Sequence, residues 1–268
     1  MGAYQMMTDT TQPRPRVVVV GLASCFGCQL QITNQEDHLM EVVGQIDLQH
    51  WQMTSSAPCP EEYDVAIIEG AVVNEEAIEL VREIRSKAAV VIAIGACATT
   101  GGIPGMAALD NAGKQAIQYP DGVPAASGVP VEPRAVSAVI DVDYEVRCCP
   151  IDFWEFVDVL EAALLGSNRR PFSRTMCGDC KRNETSCFYN KGQICLGLVT
   201  TAGCHARCVN LGRPCNGCRG ISADASLEGA RGAVERYGLS VADFDKALEM
   251  FNQTNPMYQA YIAAHKEG

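Results

Sequence analysis

No apolar run in the 268-residue chain reaches the roughly 18 residues at which a membrane-spanning helix becomes a candidate. Residues 1–16 are polar and proline-bearing and lack the apolar stretch of a secretion signal. The pair Arg169-Arg170 lies internally and is no twin-arginine signal. Positive charge is scarce, with 21 Lys and Arg against 32 Asp and Glu and a formal net charge of -11. That balance argues against a phosphate-binding surface, so nucleic acid is not an expected partner. The first apolar run is followed by Ser-Cys-Phe-Gly-Cys and not by G-x-G-x-x-G, so dinucleotide binding by this chain finds no support. From these absences a cytoplasmic location is expected. A reducing cytosol disfavours structural disulfides, so the 14 cysteines point to metal or redox chemistry.

Eight of those cysteines fall between residues 177 and 218 and divide in order into two sets of four. Cys177, Cys180, Cys187 and Cys195 form C-x2-C-x6-C-x7-C, and Cys204, Cys208, Cys215 and Cys218 form C-x3-C-x6-C-x2-C. Four thiolates complete the coordination sphere of a zinc ion or of an iron–sulfur cluster. Local spacing alone does not separate the two.

Upstream, short apolar runs at 17–21, 46–51, 64–69, 88–94 and 144–148 read as strands buried on both faces, as in parallel sheets. Helical patterns lie between them. Asn74 is placed to cap a helix opened by Glu75 and Glu76 and closed by Arg82, Arg85 and Lys87. Residues 150–165 read as a second helix with Phe153, Phe156, Val157 and Leu160 on one face. The alternation predicts an α/β fold, a flavodoxin-like doubly wound parallel sheet. The Gly-, Pro- and Ala-rich stretch 101–133 reads as a long irregular excursion, and 166–176 as a linker. After the cysteine-rich segment two C-terminal helices are expected, one capped by Ser240 with Asp243 and broken before Pro256. The expected organisation is a tail at 1–15, the α/β domain at 16–170, and an irregular cysteine-rich domain with C-terminal helices at 171–268.

In an open α/β domain, ligands gather beyond the carboxyl ends of the strands. Cys25 and Cys28 follow the first predicted strand, Cys97 the fourth and Cys149 the fifth, so the fold brings a third quartet to one edge. Ligands drawn from several loops suit a cluster better than the local knuckles of structural zinc. Cys148 adjoins Cys149, but strand neighbours point to opposite faces, so it reads as a small buried hydrophobe. Cys59 reads as a loop thiol.

Four stretches together resemble the small subunit of nickel–iron hydrogenases: Ser-Cys25-Phe-Gly-Cys28-Gln, Ile-Glu69-Gly70, Gly95-Ala-Cys97-Ala-Thr-Thr-Gly-Gly102 and Cys149-Pro150. The octet, with Cys204-His-Ala-Arg-Cys208 and Pro214-Cys215-Asn-Gly-Cys218-Arg-Gly220, extends the resemblance. It is nearest to the delta subunit of cytosolic NAD(P)-linked bidirectional enzymes, the sulfhydrogenase type. The resemblance implies three 4Fe–4S clusters: a proximal one on Cys25, Cys28, Cys97 and Cys149, a medial one on Cys204, Cys208, Cys215 and Cys218, and a distal one on Cys177, Cys180, Cys187 and Cys195. It implies a nickel–iron centre in a partner large subunit, and FAD and NAD(P) in a diaphorase-type flavin and iron–sulfur partner. The implied activity is that of a hydrogenase subunit, relaying electrons from H2 oxidation or to H2 evolution. Cys177 replaces the histidine common at that distal position in uptake relatives, Cys208 completes the medial set, and Ser24 stands where a carboxylate is often found.

Three rivals share parts of this pattern. A deazaflavin-reducing or heterodisulfide-reductase-linked hydrogenase has similar motifs. The cluster-bearing subunit of a respiratory quinone reductase shares the N-terminal fold but lacks the octet. A zinc-stabilised scaffold protein would have the cysteines without redox function. Among other residues, Glu69 reads as an interface or loop-capping carboxylate in preference to a proton carrier. His38 and His205 read as surface or interface residues. Arg207 and Arg219 either offset cluster charge or pair with nearby carboxylates.

Overall fold

The computed structural model describes residues 13–109, 111–170 and 172–265, so most of the predicted tail lies outside the described residues. The strands are β1 (Arg16–Gly21), β2 (Asp47–Trp51), β3 (Val65–Glu69), β4 (Val72–Asn74), β5 (Val90–Ile94), β6 (Pro130–Arg134) and β7 (Tyr144–Val146). Five of them form one parallel sheet in the order β2-β1-β3-β5-β7. Counted within that sheet, this is the flavodoxin order 2-1-3-4-5. The remaining two, β4 and β6, form a separate antiparallel pair.

Helices on both faces cover the sheet, which is why its strands read as continuous apolar runs. Val17, Val19, Val65, Ile67, Ile92 and Ile94 point to one face. There they pack with Ile32 of α1 (Gly27–Thr33), Val42 of α2 (Glu36–Val43), and Phe153, Phe156 and Leu160 of α6 (Phe153–Leu164). The alternate residues Val18, Val20, Ala66, Ile68, Val91 and Ala93 point the other way. They meet Val81 and Ile84 of α3 (Glu75–Lys87) and Ala98 of α4 (Gly95–Thr100). Asn74 caps α3 as expected, accepting the Ala77 N–H at 2.8 Å. The helix expected at 150–165 begins later, because Asp152 supplies its cap to the N–H groups of Trp154 and Glu155.

The excursion at 101–133 is less irregular than expected. It holds α5 (Asn111–Gln118), strand β6 and short 3-10 turns. In the cysteine-rich part, α7 (Cys177–Arg182) and α8 (Arg207–Asn210) are single short turns among loops. Three helices follow where two were expected: α9 (Leu227–Arg236), α10 (Val241–Asn252) and α11 (Pro256–His265). The helix missed is α9, opened by Ser226, whose hydroxyl accepts the Gly229 N–H. Ser240 caps α10 through the Asp243 N–H, as its sequence foretold. These helices and Met176, Phe188, Leu196 and Val209 of the loops share an apolar cluster of their own.

Candidate metal centres

The carboxyl ends of β1, β3, β5 and β7 open on one edge. After β1 the chain turns sharply into α1. Phe26 sits in the left-handed region at φ 59, and the Ser24 hydroxyl accepts its N–H at 3.2 Å. A side chain at Gly21 would collide with the Phe26 ring, its Cβ falling 2.4 Å from Cε1. The turn presents Cys25 exposed and Cys28 buried.

Behind it stands Glu69, only 1% exposed. Its carboxylate accepts the N–H of Cys28 at 3.0 Å, the N–H of Gln29 at 3.4 Å and Gln29 Nε2 at 2.8 Å. Gln29 in turn accepts Trp51 Nε1 at 2.6 Å. The carboxylate thus satisfies orphan amides at the start of α1. This is the capping role read from sequence.

After β5 the helix α4 carries Cys97, and after β7 come Cys148 and Cys149, whose peptide to Pro150 is cis. Ala96 donates to the Cys148 carbonyl at 2.8 Å, tying the two loops together. Three of the four thiols are raised by burial and by charged neighbours. Burial and then the Cys25 charge push Cys97 up to about 11. Burial, then Cys97 and Cys25, push Cys149 up to about 11. Burial, then Glu69, raise Cys28 well above the ordinary thiol range, with Cys149 adding to it.

The first C-terminal set converges likewise. Burial, then Cys195, Cys180 and Cys187, push Cys177 up to about 11. Gly197 lies against this set, and a Cβ there would stand 3.6 Å from Cys177 Sγ and 3.7 Å from Cys195 Sγ. In the second set, burial raises Cys204 and Cys208 above the ordinary thiol range. Burial pushes Cys215 up to about 12, with Cys195 and Cys204 adding to it. Cys218 Sγ lies 3.6 Å from Cys148 Sγ. Among the described residues, no three His, Cys, Asp or Glu side chains stand close enough to hold a single metal ion.

Residues 25–163 match the family model described as the NADH ubiquinone oxidoreductase 20 Kd subunit. The delta chain of sulfhydrogenase 2 from Pyrococcus furiosus is 33% identical over 217 residues, covering 79% of this chain and 88% of that protein. The chain belongs to this family. Its relatives within it are hydrogenase subunits, and it is a hydrogenase small subunit. A vhu subunit of the F420-non-reducing hydrogenase from Methanocaldococcus jannaschii is 29% identical over 243 residues, 80% of this chain and 84% of that one. A crystal structure of NAD+-reducing nickel–iron hydrogenase in the H2-reduced state shares the fold. It matches with TM-score 0.54 and 22% identity, over 60% of this chain and 97% of its own.

Most other sequence readings of this hydrogenase subunit hold. His38 is half-buried at the surface, pairing with Glu41 at 3.4 Å and packing edge-on against Trp154. His205 is exposed, and its carbonyl accepts Asn183 and Asn210. Cys59 is exposed. Both arginines pair with carboxylates. Arg207 meets Asp152 at 2.7 Å, and Arg219 meets Glu155 through two bonds of 2.6 and 2.7 Å. Arg219 is 2% exposed and also donates to the carbonyls of Ala202 and Arg147. Burial works against its charge, and Glu155 more than offsets that, so its pKa is raised. One reading missed a contact. Cys148 is buried, as expected, yet its sulfur touches Cys218. The signal was present: a neighbour of Cys149 on the opposite face must meet whatever packs there.

Proposed function

We propose that the chain is the electron-relay subunit of a nickel–iron hydrogenase, holding three 4Fe–4S clusters. Cys25, Cys28, Cys97 and Cys149 hold the proximal one, Cys204, Cys208, Cys215 and Cys218 the medial one, and Cys177, Cys180, Cys187 and Cys195 the distal one. The observation that carries the reading is the linkage of the three thiol sets. Cys148, beside Cys149 of the first set, contacts Cys218 of the second. The Cys215 N–H of the second donates to Cys195 Sγ of the third at 3.2 Å. A serial array of this kind suits electron transfer.

The donor chemistry fits iron–sulfur clusters. All twelve groups are thiols in sets of four, each set large enough to complete a cluster. Burial disfavours ionisation of several of these thiols, and the positive charge of bound iron would favour it. When bound, the clusters supply one-electron carriers. The protein supplies amides that hydrogen-bond to the sulfurs: Ile151 to Cys28, Ile103 to Cys97, Gly197 and Cys215 to Cys195, and Gly217 to Cys215. Such bonds stabilise the thiolates and tune cluster potentials. The exposed Cys25 and Cys149 face outward, where a partner large subunit bearing the nickel–iron centre would cover them. We also propose a domain boundary near residue 170, supported by the separate apolar cluster of the C-terminal part. Among the described residues no helix is long and apolar enough to cross a membrane, and we place the complex in the cytoplasm.

Two electron partners compete. One is a diaphorase-type partner with FAD and NAD(P). The other is a heterodisulfide-reductase-linked or deazaflavin partner. The NAD+-reducing structure is the shorter chain, and a large part of this one has no counterpart in it, whereas the F420-non-reducing relative spans most of its length. The sulfhydrogenase delta relative spans as much of this chain as the F420-non-reducing one, so length gives no preference between the two partners. Hydrogen-dependent reduction of NAD+, NADP+, deazaflavin and a heterodisulfide by the whole complex decides it.

The primary test is iron, acid-labile sulfide and zinc analysis of anaerobically purified complex. About twelve irons and twelve sulfides assignable to this chain are expected from three cubane clusters. About two or three zincs with little sulfide would overturn the relay and leave a structural metal scaffold.

A further inference from the structure

Among the described residues, Cys148 is the one cysteine outside the twelve whose sulfur touches a member of a set. It is 6% exposed and lies just past β7. Its φ is 140, a region that residues with side chains rarely adopt. Such a conformation persists only where the surroundings over-determine it. Here the Ala96 N–H holds the Cys148 carbonyl at 2.8 Å, and Arg219 Nη1 holds the carbonyl of the preceding Arg147 at 2.7 Å. The result aims Cys149 into one thiol set and Cys148 into the next. Cys148 Sγ reaches 3.6 Å from Cys218 Sγ, within sulfur hydrogen-bonding distance.

We propose that Cys148 is a positioning residue for the medial cluster, donating an S–H hydrogen bond to the ligating sulfur of Cys218 and raising that cluster's reduction potential. The inference rests on the cluster assignment proposed above. A ligating Cys218 is a thiolate without a proton, so between the two sulfurs only Cys148 is left to donate. A hydrogen bond to a cluster sulfur withdraws electron density and favours the reduced, more negative state. Arg219, the neighbour of Cys218, directs its donors to Glu155 and to the carbonyls of Ala202 and Arg147. A thiol is therefore the adjustable donor at this junction.

The test uses the intact complex, purified anaerobically, with Cys148→Ala and Cys148→Ser. The readout is an EPR-monitored redox titration of the medial cluster, with iron and sulfide counted for each sample. Cys148→Ala is expected to keep all the iron and to lower the reduced-to-oxidised ratio at fixed potential about three- to tenfold, a tenfold change being about 59 mV for one electron. Cys148→Ser retains a donor and should return the midpoint toward wild type. An unchanged midpoint in Cys148→Ala at full iron content, or Ala and Ser variants shifted equally, would reduce Cys148 to packing and overturn the inference. A wild-type complex lacking three four-iron clusters would instead overturn the relay itself, so the two failures are distinguishable. Loss of only the medial iron in Cys148→Ala would show a structural role and also count against tuning.

Discussion

Replacing Glu155 with Gln isolates the ion pair that joins α6 to the cysteine-rich part. Arg219 and Glu155 side chains are only 3% and 13% exposed and meet through two bonds. Breaking a buried pair from one side costs about 3–5 kcal/mol, because the remaining charge stays buried. Arg219 keeps two carbonyl acceptors, Ala202 and Arg147, so the lower part of that range, about 3–4 kcal/mol, is expected. At about 2–4 °C per kcal/mol for a chain near this size, the unfolding midpoint should fall about 6–16 °C. The assay is anaerobic thermal unfolding of the complex at fixed scan rate, followed by circular dichroism and cluster absorption. A companion Glu155→Leu, Arg219→Met double variant should recover at least half of the loss, since apolar replacement of a buried pair is often close to neutral. A Glu155→Gln shift below about 2 °C, or a double variant no better than the single one, would refute the reasoning, because an uncompensated buried charge would then not be the cost.

Two further substitutions probe the first thiol set. Gly95→Ala adds a Cβ 2.4 Å from Cys28 Sγ at a residue with φ +83. It should strip about four irons per chain, and full iron content in the purified variant would contradict the assignment of Cys28. Glu69→Gln sets an amide N–H2 against Gln29 Nε2 and the Gln29 N–H, which are both donors. A loss of about 1–3 kcal/mol in thermal stability is expected from the mispaired buried groups. If hydrogen turnover falls at unchanged stability, Glu69 moves protons and does not merely cap.

The sheet was legible because burial on both faces leaves a simple record. The run at 17–21 divides into Val17 and Val19 on one side and Val18 and Val20 on the other, so no polar residue interrupts it. Cap residues Asn74 and Ser240 were legible for a local reason, since each needs only an N–H three residues on. The irregular half was not. Its loops owe their shape to cysteine convergence and to left-handed residues such as His205 and Ala206, which have no periodic signature. Helix α9 was hidden by Gly229 and Gly232, poor helix formers that tertiary packing of Leu227, Ala230 and Val234 overrides. The twelve candidate thiols were picked out by spacing and strand order. Their linkage was not, because Cys148–Cys218 and Cys215–Cys195 are contacts between distant segments.

Cys148 and Cys149 are consecutive residues, one beside the second thiol set and one in the proposed first, and their Cα atoms are fixed about 3.8 Å apart by one trans peptide. Both lie in the sheet-bearing part, so the spacing between the first and second sets rests on the non-covalent Cys148–Cys218 contact of 3.6 Å. Under the proposed relay, whatever holds the two parts together, the buried Arg219–Glu155 pair included, also sets the spacing between the first and second sets.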